Sequence, residues 1–318
     1  MHQFRLFRGK LEVLWINNGV GAAAIGVVLI AASLLVGPSW GVTSSNLQLC
    51  DSNSDTGSVS AAFRRLPPPY GETFFAEKLG LPFLSAYLDS IEPNFRHGAN
   101  FGASGSTIQP TDAKLFGAGF NPLSLNIQLL QFEQFKDRTK EPFNQAKSSW
   151  IKNNLPRPKE FSKALYTLDC GQNDLHFGLS DQNGCIKSYN QLAQEFNKQL
   201  KDKVFQLRTQ LHHAVLIYVD IYTAKYTLIS EAEKQGFVSP LGYCCGHLGV
   251  AECWQTSIVN GTEVFAASCS DPSKHISWDG AHYTEAANKW VANHIVDGSL
   301  SDPPIPLTKS CHSADIPS

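Results

Sequence analysis

The chain of 318 residues is 42% hydrophobic and 17% charged, a globular composition that excludes a disordered or fibrous protein. Its 26 basic and 28 acidic residues leave a formal net charge of −2 and are scattered along the chain. The basic block that a phosphate backbone requires is missing, which excludes nucleic acid as a partner.

At the N-terminus, Arg5, Arg8 and Lys10 precede an uncharged stretch, GVGAAAIGVVLIAASLLV, from Gly19 to Val36, with Pro38 behind it. A basic flank followed by an apolar run is the pattern of a secretory signal, which assigns residues 1–41 to a signal peptide. The run is also just long enough to span a bilayer, so an uncleaved signal anchor is the second reading. Residues 42–318 then form a single domain, secreted and expected to be a soluble monomer; the retained anchor would tether it to a membrane.

Along that domain short apolar runs alternate with longer amphipathic ones. Ala164–Leu168 reads as a buried strand ending near Gly171. The next stretch carries Tyr189, Leu192, Phe196, Leu200, Val204, Leu207 and Leu211 at steps of three and four, one face of a long helix. Ala214–Tyr222 is a second apolar strand, and TAKYTLISEAEKQG is a helix stopped by Gly236. A last helix near TEAANKWVANHI sets Ala287, Trp290, Val291 and Ile295 inward. Strand and helix in alternation predict an α/β fold, a three-layer sandwich with a mainly parallel sheet. The stretch from Pro240 to Trp278 has little periodicity and reads as a loop held by crosslinks.

In a parallel sheet ligands sit where strand ends give way to loops. Four polar clusters fall at such ends: DSNSDTG after the short run NLQL, GASGSTI at Gly102–Ile108, GQND at Gly171–Asp174, and DGAH at Asp279–His282. Each has an ordinary reading as a turn or helix cap. In this order they also supply the parts of an acyl-transfer site. Ser52 is the nucleophile candidate, His282 its base, and Asp279 the carboxylate that sets the imidazole's tautomer. The N–H groups of Ser52 and Gly105 and the amide of Asn173 are the oxyanion donors. No cofactor is called for.

The eight cysteines, at 50, 170, 185, 244, 245, 253, 269 and 311, fit an oxidising compartment. Adjacent Cys244 and Cys245 lack the spacer of a zinc knuckle, so surface-loop disulfides are expected rather than a metal site. Asn260, in NGT, is the one glycosylation sequon, relevant if the chain is exported.

The blocks DSNSDTG, NFGASGSTI, YTLDCGQND and DPSKHISWDGAHYTEAAN resemble, in order, those of the plant GDSL esterase/lipases of the SGNH hydrolase superfamily. The likeness runs from about Cys50 to Leu307 and is strongest to the branch with early nodulin-like and alpha-L-fucosidase-labelled members. It implies a flavodoxin-like αβα sandwich and a metal-independent hydrolase of carboxylic esters on small-molecule, polysaccharide or lipid substrates. It also implies Ser52, Asp279 and His282 as triad and Gly105 and Asn173 in the oxyanion hole. The chain departs from the pattern in three places. Cys50 stands where the family has Gly, Cys170 where it often has an aliphatic residue, and a segment is missing between Phe75 and Ala76. An impaired or truncated member is therefore the alternative reading, with glycoside hydrolysis a weaker one.

Overall fold

The apolar runs and the helical stretches take up the alternation their spacing predicts. The computed structural model describes residues 26–32, 46–63, 70, 83–91, 93–108, 110, 121–145, 149–176, 187–211, 214–246 and 253–310. The central sheet comprises β1 (Gly26–Ala32), β2 (Asn46–Cys50), β3 (Gly98–Asn100), β4 (Leu165–Cys170), β5 (Ala214–Val219) and, after four further strands, β10 (Ser301–Asp302). Their order is β10-β5-β1-β4-β2-β3. β2 pairs in parallel with β3 and β4, whereas β1 opposes both β4 and β5, so β5 runs with β4. Only β1 and β10 oppose the common direction, as β10 pairs antiparallel with β5.

The helices are α1 (Ser58–Ala62), α2 (Leu125–Gln145), α3 (Ser149–Asn154), α4 (Gln172–His176), α5 (Lys187–Arg208), α6 (Ile221–Ser230), α7 (Glu285–Val296) and α8 (Leu307–Ser310). Side-chain alternation along the strands assigns them to layers. Leu165 of β4 shares a buried cluster with Ile217 and Val219 of β5, Ile295 of α7 and Leu307 of α8. The next residue, Tyr166, faces the other way, toward Phe132 and Phe135 of α2. Leu216 and Tyr218 of β5 likewise pack on Val204 of α5. Helices α2 and α5 therefore cover one face and α7 and α8 the other, the expected αβα sandwich.

NLQL becomes an inner strand despite its polar residues, because Leu47 and Leu49 are wholly buried and hydrogen-bonded neighbours flank it on both sides. β4 is longer than its apolar run and reaches Cys170. β5 ends at Val219, earlier than its apolar run, because Asp220 caps α6 by accepting from Thr223 N–H.

β1 lies within the stretch read as an export signal. The chain passes from β4 to β5 through α4 and α5 and leaves one strand position between them, which β1 fills from the opposite direction. No helix among the described residues is long and apolar enough to cross a membrane.

The region read as a loop holds β6 (Ser239–Tyr243), β7 (Thr256–Val259), β8 (Thr262–Phe265) and β9 (His275–Ser277), with β6 parallel to β9 and β7 antiparallel to β8. Disulfides Cys244–Cys269 and Cys245–Cys253 tie it together. They are not surface crosslinks as expected. Cys244 and Cys245 are buried against Trp278, because their N–H groups dock on the carbonyls of Ser277 and Trp278 beyond β9. Asn260 sits exposed at the tip of the β7–β8 hairpin, where Asn260 and Gly261 both take positive φ, the pattern of a two-residue turn. Cys185, Cys311 and the junction after Phe75 lie outside the described residues.

Candidate active site

All four polar clusters fall at the carboxyl ends of strands. The turn after β2 starts at Asp51, which is buried and accepts from Asn53 N–H at 3.1 Å. Burial and the nearby Asp169 push the Asp51 carboxyl well above its ordinary range. Ser52 follows, half-buried at the head of the turn. Asp55 holds the turn's far side by accepting from Gly57, Ser58 and Val59 at the start of α1 and from Ser104 N–H at 2.8 Å. Burial pushes its carboxyl up, and those four N–H groups oppose the shift.

The Gly-rich segment after β3 is pinned from two sides. Asn100, wholly buried, donates to the Ser54 carbonyl and accepts from Gly102 N–H at 2.8 Å. Gln128 of α2, also wholly buried, accepts from Cys50 N–H at 2.6 Å. Its amide nitrogen donates to the carbonyls of Cys50 at 2.8 Å and Leu123 at 2.9 Å, and to Ser106 Oγ at 3.1 Å. One side chain thus satisfies both backbone groups at the last residue of β2. Gly105 lies in this segment with φ of 80°.

Each polar side chain of GQND has a separate partner. Asp174 accepts from Ile108 N–H at 3.0 Å, and Asn173 Nδ2 donates to the Ser106 carbonyl at 2.7 Å, leaving its second N–H for another acceptor. Gln172 bridges three segments: its Oε1 accepts from Asn53 Nδ2 at 3.1 Å and from Lys225 Nζ at 2.9 Å, and its Nε2 donates to the Ala281 carbonyl at 2.9 Å. Lys225, from α6, lies over the Tyr283 ring; burial lowers its pKa while Asp169 and Asp51 raise it, and burial wins.

After β9 the chain turns through Trp278, whose N–H donates to the His282 carbonyl at 2.7 Å. Asp279 Oδ1 accepts from the N–H groups of Ala281 and His282, and Asp279 Oδ2 meets His282 Nδ1 at 2.7 Å. Tyr70 OH donates to the same Oδ2, and its ring stands edge-on to the imidazole at 5.3 Å. Burial alone would raise the Asp279 carboxyl, but the His282 ring, its charge and Tyr70 hold it far below the usual carboxylate range. A carboxylate locked on Nδ1 leaves Nε2 to act as base.

The geometry therefore brings Asp279 and His282 into direct contact and ties the Ser52 turn to theirs through Asn53, Gln172 and Ala281. Among the described residues no hydrogen bond joins Ser52 to His282, a contact that often tightens only around substrate. Asn260 is remote in sequence and lies on the hairpin. Gln128, Asn100, Tyr70, Gln172 and Lys225 escaped the sequence reading. Gln172 sits inside the GQND motif and Asn100 opens the NFGASGSTI block, whereas Gln128, Tyr70 and Lys225 carry no local signal.

The family model described as GDSL-like Lipase/Acylhydrolase matches residues 50–184 and 175–295, two stretches that overlap over residues 175–184. GDSL esterase/lipase At5g14450 of Arabidopsis thaliana is 40% identical over 341 residues, with 82% of this chain and 88% of the relative aligned. Since 82% of this chain is far fewer residues than that alignment spans, the relative carries internal residues that this chain lacks. GDSL esterase/lipase ACHE of Zea mays is 40% identical, covering 83% of this chain and 87% of its own length. GDSL esterase/lipase ENOD8 of Medicago truncatula is 36% identical, covering 82% and 88%. With matches over most of both chains, this chain belongs to the GDSL-like lipase/acylhydrolase family.

Proposed function

We propose that this chain is a secreted serine esterase that hydrolyses carboxylic esters. The observation that carries the reading is the Asp279–His282 hydrogen bond of 2.7 Å, coupled to the Ser52 turn by the Gln172 bridge. In the reaction Ser52 Oγ attacks the ester carbonyl while His282 Nε2 takes the hydroxyl proton. The oxyanion is stabilised by the N–H groups of Ser52 and Gly105 and by Asn173 Nδ2. His282 then gives the proton to the departing alcohol, and water, activated by the same imidazole, releases the acid from Ser52. Asp279 keeps the imidazole in one tautomer throughout. The basic flank and apolar run at the N-terminus support export, either with cleavage or as an anchor, and Asn260 is then a glycan site on the hairpin. Glycoside hydrolysis needs two carboxylates facing each other across a sugar. Asp279 is committed to His282, Tyr70 and two backbone N–H groups, which argues against that role.

The test is hydrolysis of p-nitrophenyl acetate together with labelling by a fluorophosphonate. Ser52→Ala and His282→Ala should each lower kcat/KM by about 10³-fold or more, and the label should map to Ser52. Full activity in either variant overturns the assignment. One observation favours a second reading, a folded member without turnover: Cys50, two residues before Ser52, has φ of 111°. A wild-type protein that folds but takes no label at Ser52 would establish it.

A further inference from the structure

Cys50 and Cys170 are bonded to each other, with Cα atoms 5.2 Å apart and a sequence separation of 120. That separation is normal for a disulfide. They terminate β2 and β4, neighbours in the sheet, where Cys50 is in register with Asp169. Both are departures from the family pattern, a Gly at 50 and an aliphatic residue at 170, and the two departures meet in one bond. Cys50 also takes a backbone conformation that favours glycine, with φ of 111°, which strains a residue that has a Cβ. Such a conformation persists only where its surroundings over-determine it. Here Gln128 clamps the N–H and C=O of Cys50, and the disulfide clamps its side chain.

The crosslink lies where the site is assembled. Two residues beyond Cys50 is Ser52, and three beyond Cys170 is Asn173. We propose that the Cys50–Cys170 disulfide is a positioning crosslink that holds the Ser52 turn against the Asn173 turn, and that a dithiol switches it off. This inference rests on the esterase reading. A dithiol thiolate attacks the sulfur of Cys170, the half-buried partner, since Cys50 is only 3% exposed. The resulting mixed disulfide is resolved by the reductant's second thiolate. Two electrons pass to the pair, the reductant leaves as its cyclic disulfide, and Cys50 and Cys170 remain as thiols. The Cys50 backbone then relaxes toward negative φ and carries Ser52 away from the oxyanion donors.

The experiment uses the purified full chain in native buffer with increasing dithiothreitol. Hydrolysis of p-nitrophenyl acetate is followed, and alkylation with mass mapping reports which cysteines have opened. Hydrogen exchange of residues 51–57 and 171–174 is read in parallel. In wild type, kcat should fall at least fivefold with little change in KM, in step with alkylation of Cys50 and Cys170, while exchange rises in both turns. The variant Cys50→Gly with Cys170→Ile, which keeps the other two disulfides, should be active and indifferent to the same reductant by both readouts. Unchanged exchange and rate in wild type once the pair is alkylated overturns the proposal, as does equal sensitivity of the variant. A wild type that shows the exchange response but no turnover overturns the esterase reading and leaves the positioning role standing.

Discussion

Replacing Gln128 with Met tests whether one buried amide holds the end of β2. Met fills nearly the same volume, so the cavity contribution is small. Its hydrogen bonds are lost. Leu123 O keeps the Ser106 hydroxyl as a donor at 2.8 Å, and Cys50 O keeps Ala103 N–H at 2.8 Å. Cys50 N–H, on a residue only 3% exposed, loses the acceptor that Gln128 gave it. An orphaned buried donor costs about 1–3 kcal/mol, and with the other lost bonds the total comes to about 2–4 kcal/mol. In a chain of this size each kcal/mol moves the midpoint by about 2–4 °C, so thermal unfolding followed by circular dichroism should fall by about 5–15 °C. Well below both midpoints kcat/KM should also drop by about 10-fold or more, because Ser52 lies two residues beyond the released strand end. Leu130→Ala, at an exposed site on the same helix, should change stability by less than about 0.5 kcal/mol and serves as the control. A midpoint within about 2 °C of wild type for Gln128→Met would refute the reasoning.

Outcomes are also expected for substitutions at three other sites. Gln172→Leu severs the bridge between the Ser52 and His282 turns and should lower kcat about 10-fold or more with KM nearly unchanged; Gln172→Glu, which keeps the acceptor for Asn53 and Lys225 but loses the donor to Ala281, should fall between the two. Against the opposing effect of burial, His282 and Tyr70 hold the Asp279 carboxyl far below its ordinary range, and Asp279→Asn, which removes the carboxylate that fixes the imidazole's tautomer, should lower kcat/KM for p-nitrophenyl acetate at neutral pH on the order of 10⁴-fold. The same depressed carboxyl adds stability that is complete above the unfolded-state value of about 3.9 and drains as pH falls through the native value, so wild type should lose more stability than Asp279→Asn when both are unfolded in urea below pH 4. Gly298→Ala should cost at least about 2 kcal/mol, as Gly298 has φ of 78° and a Cβ there would meet Ile305 O at 2.2 Å, backbone that cannot step aside; an unchanged midpoint in calorimetry would count against it.

The elements that sequence spacing predicted are those whose stability is mostly one apolar face. Leu200, Val204 and Leu207 make α5 legible, and Ala287 and Ile295 make α7 so. Asp279 and His282 were also readable, because a three-residue separation lets local turn geometry bring the carboxylate to the ring. What was not readable is held by long-range polar contacts. Gln128 is 78 residues from Cys50, on a helix that sequence spacing did not predict, and nothing marks it until its complete burial is known. Lys225 and Tyr70 reach the site from elements read only for their apolar spacing or by resemblance. Asn260, read only as a sequon within a loop, stands with Gly261 at the turn of the β7–β8 hairpin. Cys50, taken singly, reads as a bulky residue in a glycine position; only the sheet register reveals its partner at Cys170.

An edge strand can be trimmed from a folded domain at the loss of one ladder of hydrogen bonds. β1 has two ladders, against β4 over Gly26–Ala31 and against β5 over Val27–Ala32. A peptidase arriving after folding would have to split the sheet down its middle. If the apolar N-terminal run is the export signal proposed above, processing and folding compete for the same seven residues. If the cut comes first, β4 must close directly on β5; if the sheet closes first, the cut never comes, and the mature protein carries its own leader as the keystone of its fold.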